Sequence, residues 1–367
     1  MRFWLLTISI GLVTALGTVP ANADGGGGKA GSKHSQQRAQ PPQAVPNQVV
    51  VPNAVRSKTR SEIEFGTPIK FHNISIVPVT TPKIANFKRY TLLEEGFANK
   101  TFAVRELKGN AGEAQVSHVE VRNQGNDPVY LLGGEMVLGG KQDRIIAQDT
   151  VVAATGKWTQ VGVFCVEQGR WKGQNMKFSS AKAMADVSIR RAAMSGSQSA
   201  VWSEVAKKNA IHGTSSRTQT YRRTIQKRAL RNKIKPYVAE LRDKLPQDKK
   251  LAGLVFGING NIHVADIFGN PVLFDALSEK LLSAYVLEAL GHQTNAMAKT
   301  VSTEAAKGFI SKGRRAKAKA VKKSGRARNV SKEGDDFIGV ETMDISDSGN
   351  APTTVRESYI RKQKKKK

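Results

Sequence analysis

Between Ser61 and Trp171 apolar residues come in short runs that alternate with polar ones, and Gly, Asn or Pro closes each run. The runs Ile74 to Val79, Thr101 to Glu106, Val116 to Arg122, Val129 to Leu132 and Gln160 to Val166 repeat with a period near two. That period belongs to strands with one face on a core, so this stretch predicts a mostly antiparallel β region. From Lys172 to about Lys250 the period lengthens. Tyr221, Ile225, Leu230, Ile234, Tyr237, Leu241 and Leu245 recur at intervals near three to five with Arg and Lys between them. The spacing predicts basic amphipathic helix, bent near Pro236. Leu251 to Ile258 and Ile262 to Phe268 then predict a hairpin about Asn259-Gly260, since both central residues tolerate positive φ. A closing helix follows, with Asn270 as N-cap, Pro271 as first residue, Gly291 as stop and Phe274, Leu277, Leu281 and Tyr285 as its buried stripe.

Both ends of the chain lack this periodicity. Met1-Arg2, the apolar run Leu5 to Leu16 and Ala21-Asn22-Ala23 read as a signal peptide, residues 1–23, cleaved after Ala23. The run is shorter than the ~20 residues of a membrane-spanning helix, which predicts a secreted or periplasmic product. Residues 24–60, rich in Gly, Pro, Gln and Ser, predict a disordered linker, because they carry too little apolar surface to offset the entropy of ordering. Residues 293–367 turn Lys-rich and low in complexity and end in Lys364 to Lys367, which predicts a disordered basic tail. The expected fold class is therefore α+β: a mostly antiparallel β region (61–171), a basic helical region (172–250), a late β-hairpin with its closing helix (251–291), and that tail.

Charge sharpens this division. The chain holds 58 Lys and Arg against 30 Asp and Glu, a formal net charge of +28. The β region is neutral, with 12 basic and 12 acidic residues, whereas 172–250 has 19 against 5 and 307–367 has 18 against 7. A field concentrated in this way attracts polyanions by counterion release and steering. The expected partners are an anionic envelope polymer or a membrane surface, and nucleic acid held without sequence preference, because no zinc-finger spacing or RNA-binding aromatic motif is present. Arg222, Arg223, Lys227, Arg228, Arg231 and Lys233 in the helical region, with Arg314, Arg315, Lys322 and Lys323 in the tail, are the residues expected to hold them.

The single cysteine, Cys165, excludes an intramolecular disulfide framework and a paired-thiolate zinc site. His34, His72, His118, His212, His263 and His292 are scattered singly, and no metal or cofactor site is expected from them. The densest polar cluster is Gly133-Gly134-Glu135 with Gly139-Gly140-Lys141-Gln142-Asp143-Arg144, followed by Glu167, Arg170 and Trp171. A phosphate-binding loop would need Gly at 135 and Ser or Thr at 142, but the chain has Glu135 and Gln142. Two readings compete. Either Glu135, Gln142, Asp143, Arg144, Glu167, Arg170 and Trp171 line a small polar pocket, or these charges are structural pairs that lock turns.

The strings Tyr130-Leu-Leu-Gly-Gly-Glu-Met-Val-Leu-Gly-Gly-Lys-Gln-Asp-Arg144 and Val163-Phe-Cys-Val-Glu-Gln-Gly-Arg-Trp171 resemble a prokaryotic family, the ARG and rhodanese-phosphatase-superfamily-associated protein domain. The likeness continues through Gln198 to Val205 and Gly253 to Leu290 and covers roughly residues 84–292. The resemblance implies one integrated α+β domain, here 61–292, and a shared polar pocket, and it implies no mechanism. Two functions are carried forward. The first is an exported binding module with a polar pocket and a polyanion-holding surface. The second is a hydrolase of a phosphorylated or ADP-ribosyl-like small molecule, with Glu135 or Asp143 as acid/base and Arg144 and Arg170 on the anion. The small-molecule ligand is not named by the sequence, which also does not decide between binding and catalysis.

Overall fold

The structure, a computed structural model, describes residues 62–82, 89–108, 114–170, 177–292, 299–345 and 352–363. The expected signal peptide, the linker to residue 60 and Trp171 lie outside them. In chain order, β1 (Glu64–Phe65), β2 (Ile69–Phe71) and β3 (Ile74–Thr80) begin a nine-stranded antiparallel sheet. Next come β4 (Thr91–Leu92), α1 (Leu93–Ala98), β5 (Phe102–Lys108), β6 (Ala114–Asn123), β7 (Val129–Leu131), β8 (Glu135–Leu138), β9 (Arg144–Ile146), β10 (Thr150–Val152), β11 (Trp158–Cys165) and β12 (Ser179–Met184). They form two smaller sheets, ordered β12-β8-β9-β11-β6-β5 and β10-β7-β4. Four helices follow: α2 (Val187–Met194), α3 (Gln198–Ile211), α4 (Arg222–Gln226) and α5 (Arg228–Lys244). The hairpin β13 (Leu251–Ile258) and β14 (Asn261–Phe268) leads into α6 (Pro271–Leu290). Finally come α7 (Thr303–Arg315), β15 (Ala318–Ser324), β16 (Ala327–Glu333), β17 (Phe337–Asp344) and β18 (Thr353–Arg361).

The large sheet runs β1-β3-β13-β14-β18-β17-β16-β15, with β2 also paired to β3. Both of its faces are covered, and the alternation of side chains shows by what. Ile74, Ile76, Leu254, Phe256, Val264 and Phe268 point into the core that contains α6, where Phe256 stacks on Tyr285 at 4.7 Å. Their odd-numbered neighbours Val77, Val79, Val255, Ala265 and Ile267 point to the other face, onto Ala306, Phe309 and Ile310 of α7. Burial on two faces explains why β13 reads as a continuous apolar run. The six-stranded sheet is also sandwiched. Val137 and Ile146 face one core and Met136 and Ile145 the other, which α2 and α3 cover with Ile189, Val201 and Val205.

Local chemistry places the predicted hairpin and helix as expected. Asn259 and Gly260 take φ of 51° and 76°, Asn270 caps α6 by accepting from the Val272 amide at 2.9 Å, and Pro271 is its first residue. Gly291 ends the helix with an ordinary right-handed φ of −78°, so it serves as a stop without needing glycine's conformational freedom.

The expected disordered tail after residue 292 is corrected. Within that segment the described residues 299–345 and 352–363 are a helix and four strands, and β18 lies inside the large sheet between β14 and β17. The domain therefore does not stop at residue 292. Composition misled because most of the lysines, Lys307, Lys312, Lys317, Lys319 and Lys323 among them, are exposed while sparse apolar positions do the packing. Ala306, Phe309, Ile310 and Gly313 form a buried i, i+3, i+4, i+7 stripe on α7 behind an N-cap at Ser302. Gly325, at φ 56°, turns the β15–β16 hairpin. Among the described residues no helix is long and apolar enough to cross a membrane.

Candidate functional site

The two glycine pairs of the polar motif do different work. Gly134, at φ 97°, lies where a Cβ would come within 2.9 Å of Arg190 Cγ. Gly140, at φ 57°, leaves room for Glu106 and Phe178. Glu106, on β5, is a partner that the spacing of the motif does not reveal: it accepts from Arg144 Nη1 and Nη2 at 3.0 and 2.9 Å and from the Lys141 amide at 2.7 Å.

Asp143, Gln142, Glu167 and Arg170 do come together. Asp143 accepts from the Gly139 amide at 3.0 Å and from Arg170 Nη2 at 3.4 Å. Arg170 Nε donates to Glu167 Oε2 at 2.8 Å, and Gln142 Nε2 donates to the Glu167 carbonyl at 2.6 Å. Arg222, expected on the polyanion surface, instead grips Asp143 through Nε at 2.7 Å and through Nη2. Glu135 is not part of this group. It faces Lys280 of α6, which also pairs with Glu94 at 2.7 Å. Burial raises the Glu135 carboxyl above its ordinary value against the opposing pull of Lys280. Trp171 lies outside the described residues. The predicted pocket thus resolves into three sets of paired charges, centred on Asp143, Glu106 and Glu135. In each set the carboxylate already holds a cation.

A second network is fully buried. Arg356 of β18 donates to Asp149 through Nε and Nη2, both at 2.7 Å, and to Asp266 of β14 through Nη1 at 2.7 Å. Arg190 of α2 meets Asp266 through two bonds of 2.9 Å, and the Tyr285 hydroxyl also donates to Asp266. Asp149 further accepts from the Gly133 amide at 2.7 Å. Burial works to raise the Asp266 carboxyl, but Arg190 and Arg356 overcome it and hold the group well below the carboxylate range. This network joins the large sheet to α2 and to the Gly-Gly turn, and its chemistry is that of a structural lock.

A third network was not legible in the sequence. Asp186 caps α2, Lys208 is in the last turn of α3 and Glu288 in the last turn of α6. Lys208 Nζ lies 2.8 Å from Glu288 and 3.9 Å from Asp186. Ser188 Oγ donates to Glu288 Oε1 at 2.7 Å. Burial works against ionisation of Glu288, yet hydrogen bonds from His292 and Lys208 keep it well below the usual range. Asp186 is the carboxyl pushed up, by burial. His292 Nε2 is 3.1 Å from Glu288 Oε1, and the His263 and His292 rings meet edge to face at 5.4 Å. Burial pushes His263 down to about 4, so its imidazole is neutral. The fold therefore gathers two of the six scattered histidines at one carboxylate, and ligand atoms of His263, Glu288 and His292 lie within 4.8 Å of one another.

The basic residues separate into two kinds. Arg222, Lys227 and Arg314 are engaged inside the fold, by Asp143, the His212 carbonyl at 2.6 Å and Glu357 at 2.7 Å. Arg223, Arg228, Arg231, Lys233, Arg315 and Lys323 are exposed and Lys322 is half-buried. No curated protein and no solved structure matches the chain. The model of the ARG and Rhodanese-Phosphatase-superfamily-associated Protein domain family, ARPP-1, matches residues 62–349, from β1 through β17, and the chain belongs to that family.

Proposed function

We propose that the protein is an exported binding module that holds anionic polymers through the outer face of α4 and α5. The observation that carries this reading is a stripe of exposed cations on α5. Arg228, Arg231 and Lys235 stand at i, i+3 and i+7, on a stripe that flanks the buried Leu230, Val238 and Leu241. None of the three has an acidic partner among the described residues, unlike Arg242 on the same stripe, which pairs with Glu279 at 3.3 Å. Arg223, Lys233 and Arg217 add exposed positive charge nearby in the chain. Charges already paired within the fold cannot release counterions from a polymer, and these can. Export is supported by the basic start, apolar run and Ala-Asn-Ala pattern of residues 1–23. The hydrolase alternative draws on Asp143, Glu135, Arg144 and Arg170, and the engagement of each by an opposite charge of the fold gives it less support.

The test is binding of the full chain to a sulfated polysaccharide and to labelled single-stranded DNA across a salt series, beside an Arg228→Glu/Arg231→Glu/Lys235→Glu variant. Binding that weakens with salt supports the reading, together with a variant of lower affinity and shallower salt slope. On DNA the slope should drop by roughly 0.7 for each phosphate left without its cation. Equal affinity and slope in the two proteins would overturn it. N-terminal sequencing of the product from the expressing cells checks cleavage after Ala23, and an intact Met1 would refute that part.

A further inference from the structure

We propose that His263, Glu288 and His292 form a binding site for a divalent transition-metal ion of the zinc class. A strand irregularity aims the first ligand. In the β13–β14 ladder Phe256 pairs with Val264 while Gly257 pairs with Ile262, so His263 is the extra residue of a β-bulge. A bulge redirects the side chain it carries, and here His263 meets the end of α6 rather than following the strict alternation of its strand. Glu288 and His292 are one helical turn apart and present Oε1 and Nε2 at 3.1 Å. Tetrahedral ligands at zinc bond lengths of about 2.0–2.1 Å stand about 3.3 Å apart, so this pair is already at coordinating separation. All three ligand atoms lie within 4.8 Å of one another.

The surroundings support a cation at this place. It is the carbonyl end of a twenty-residue helix with no basic residue in its own last turn. Lys208 Nζ lies 2.8 Å from Glu288 Oε2, so the other carboxylate oxygen, Oε1, is the one turned to His292. Glu288 is oriented by Ser188, whose Oγ donates to Oε1 at 2.7 Å and whose amide donates to Oε2 at 3.1 Å. Asn73 Nδ2 donates to the Ala289 carbonyl at 3.0 Å, and Asn259 Nδ2 donates to the His292 carbonyl at 2.9 Å, which steadies the backbone that carries the third ligand. Two imidazoles and a carboxylate suit Zn²⁺, Co²⁺ or Ni²⁺ rather than Mg²⁺ or Ca²⁺. The His292 side chain is 44% exposed, so a fourth position on that side is open to water, as at zinc sites that exchange ligands.

The experiment uses the full chain without a histidine tag, stripped with a chelator and titrated with Co²⁺ and Zn²⁺ by visible absorption and calorimetry. The expected result is one ion per chain, with the intense visible bands of four-coordinate Co²⁺. Binding should be lost in His292→Ala, which changes an exposed side chain, and in His263→Ala. Ser188→Ala, which alters only the orientation of Glu288, should weaken binding by roughly 10- to 100-fold. Mg²⁺ should not compete. Absence of binding by the wild type would overturn the proposal, as would unchanged affinity in a His292→Ala variant with a wild-type circular dichroism spectrum.

Discussion

Arg356→Ala removes one side chain from a segment whose composition reads as a disordered tail. The structure makes it a severe change. Arg356 is 3% exposed and makes three charge-assisted hydrogen bonds of 2.7 Å, two to Asp149 and one to Asp266. Asp266 keeps Arg190 and Tyr285. Asp149, fully buried, would lose both bonds to a cation and keep neutral donors such as the Gly133 amide and the Thr342 hydroxyl at 3.0 Å. Breaking a buried pair by removing one partner costs about 3–5 kcal/mol, a large share of the ~5–15 kcal/mol that stabilises a typical domain. At about 2–4 °C per kcal/mol the melting temperature should fall by roughly 6–20 °C, nearer the lower figure for a large domain. The assay is thermal and urea unfolding followed by circular dichroism at neutral pH. Lys323→Ala, at an exposed position without an acidic partner among the described residues, is the control and should stay within about 0.5 kcal/mol of wild type. An Arg356→Ala variant as stable as that control would refute the docking of β18 onto the lock.

Two further outcomes follow from buried groups. Burial pushes the Cys165 thiol up to about 11 and leaves it without exposed surface, so thiol reagents at pH 8 should label it only after unfolding. Rapid labelling of the native protein would contradict that environment. Asp266 is depressed below its unfolded value of about 3.9, so its stabilising contribution is fully present above about pH 4 and is lost as pH falls through its folded value. Carboxyl carbon shifts should show Asp266 still ionised at pH 3, and a midpoint near 4 would contradict the double arginine clamp.

The sequence was most legible where local chemistry decides the structure. The hairpin at Asn259-Gly260, the Asn270 cap and the stripe Phe274, Leu277, Leu281 and Tyr285 follow from turn and helix rules, and all are present. The paired state of Asp143, Glu167 and Arg170 was one of the two readings that spacing allowed, and the partners Glu106, Arg222 and Lys280 come from distant elements that spacing does not reach. The C-terminal strands were missed because Lys319, Lys322 and Lys323 dominate the composition of β15, while Ala320 and Ser324 are its buried positions. The gathering of His263 and His292 depends on a bulge one residue long, which leaves no trace in a pattern of apolar positions.

The central claim is that the basic C-terminal segment is part of the folded core and not an appendage to it. Native-state hydrogen exchange of the full chain, resolved by residue, tests this directly on β18, whose amides pair with β14 and β17. The account predicts that amides of residues 355–360 exchange as slowly as those of β13 and β14, through global unfolding. Exchange at the rate of an unstructured peptide, with β13 and β14 still protected, would contradict it.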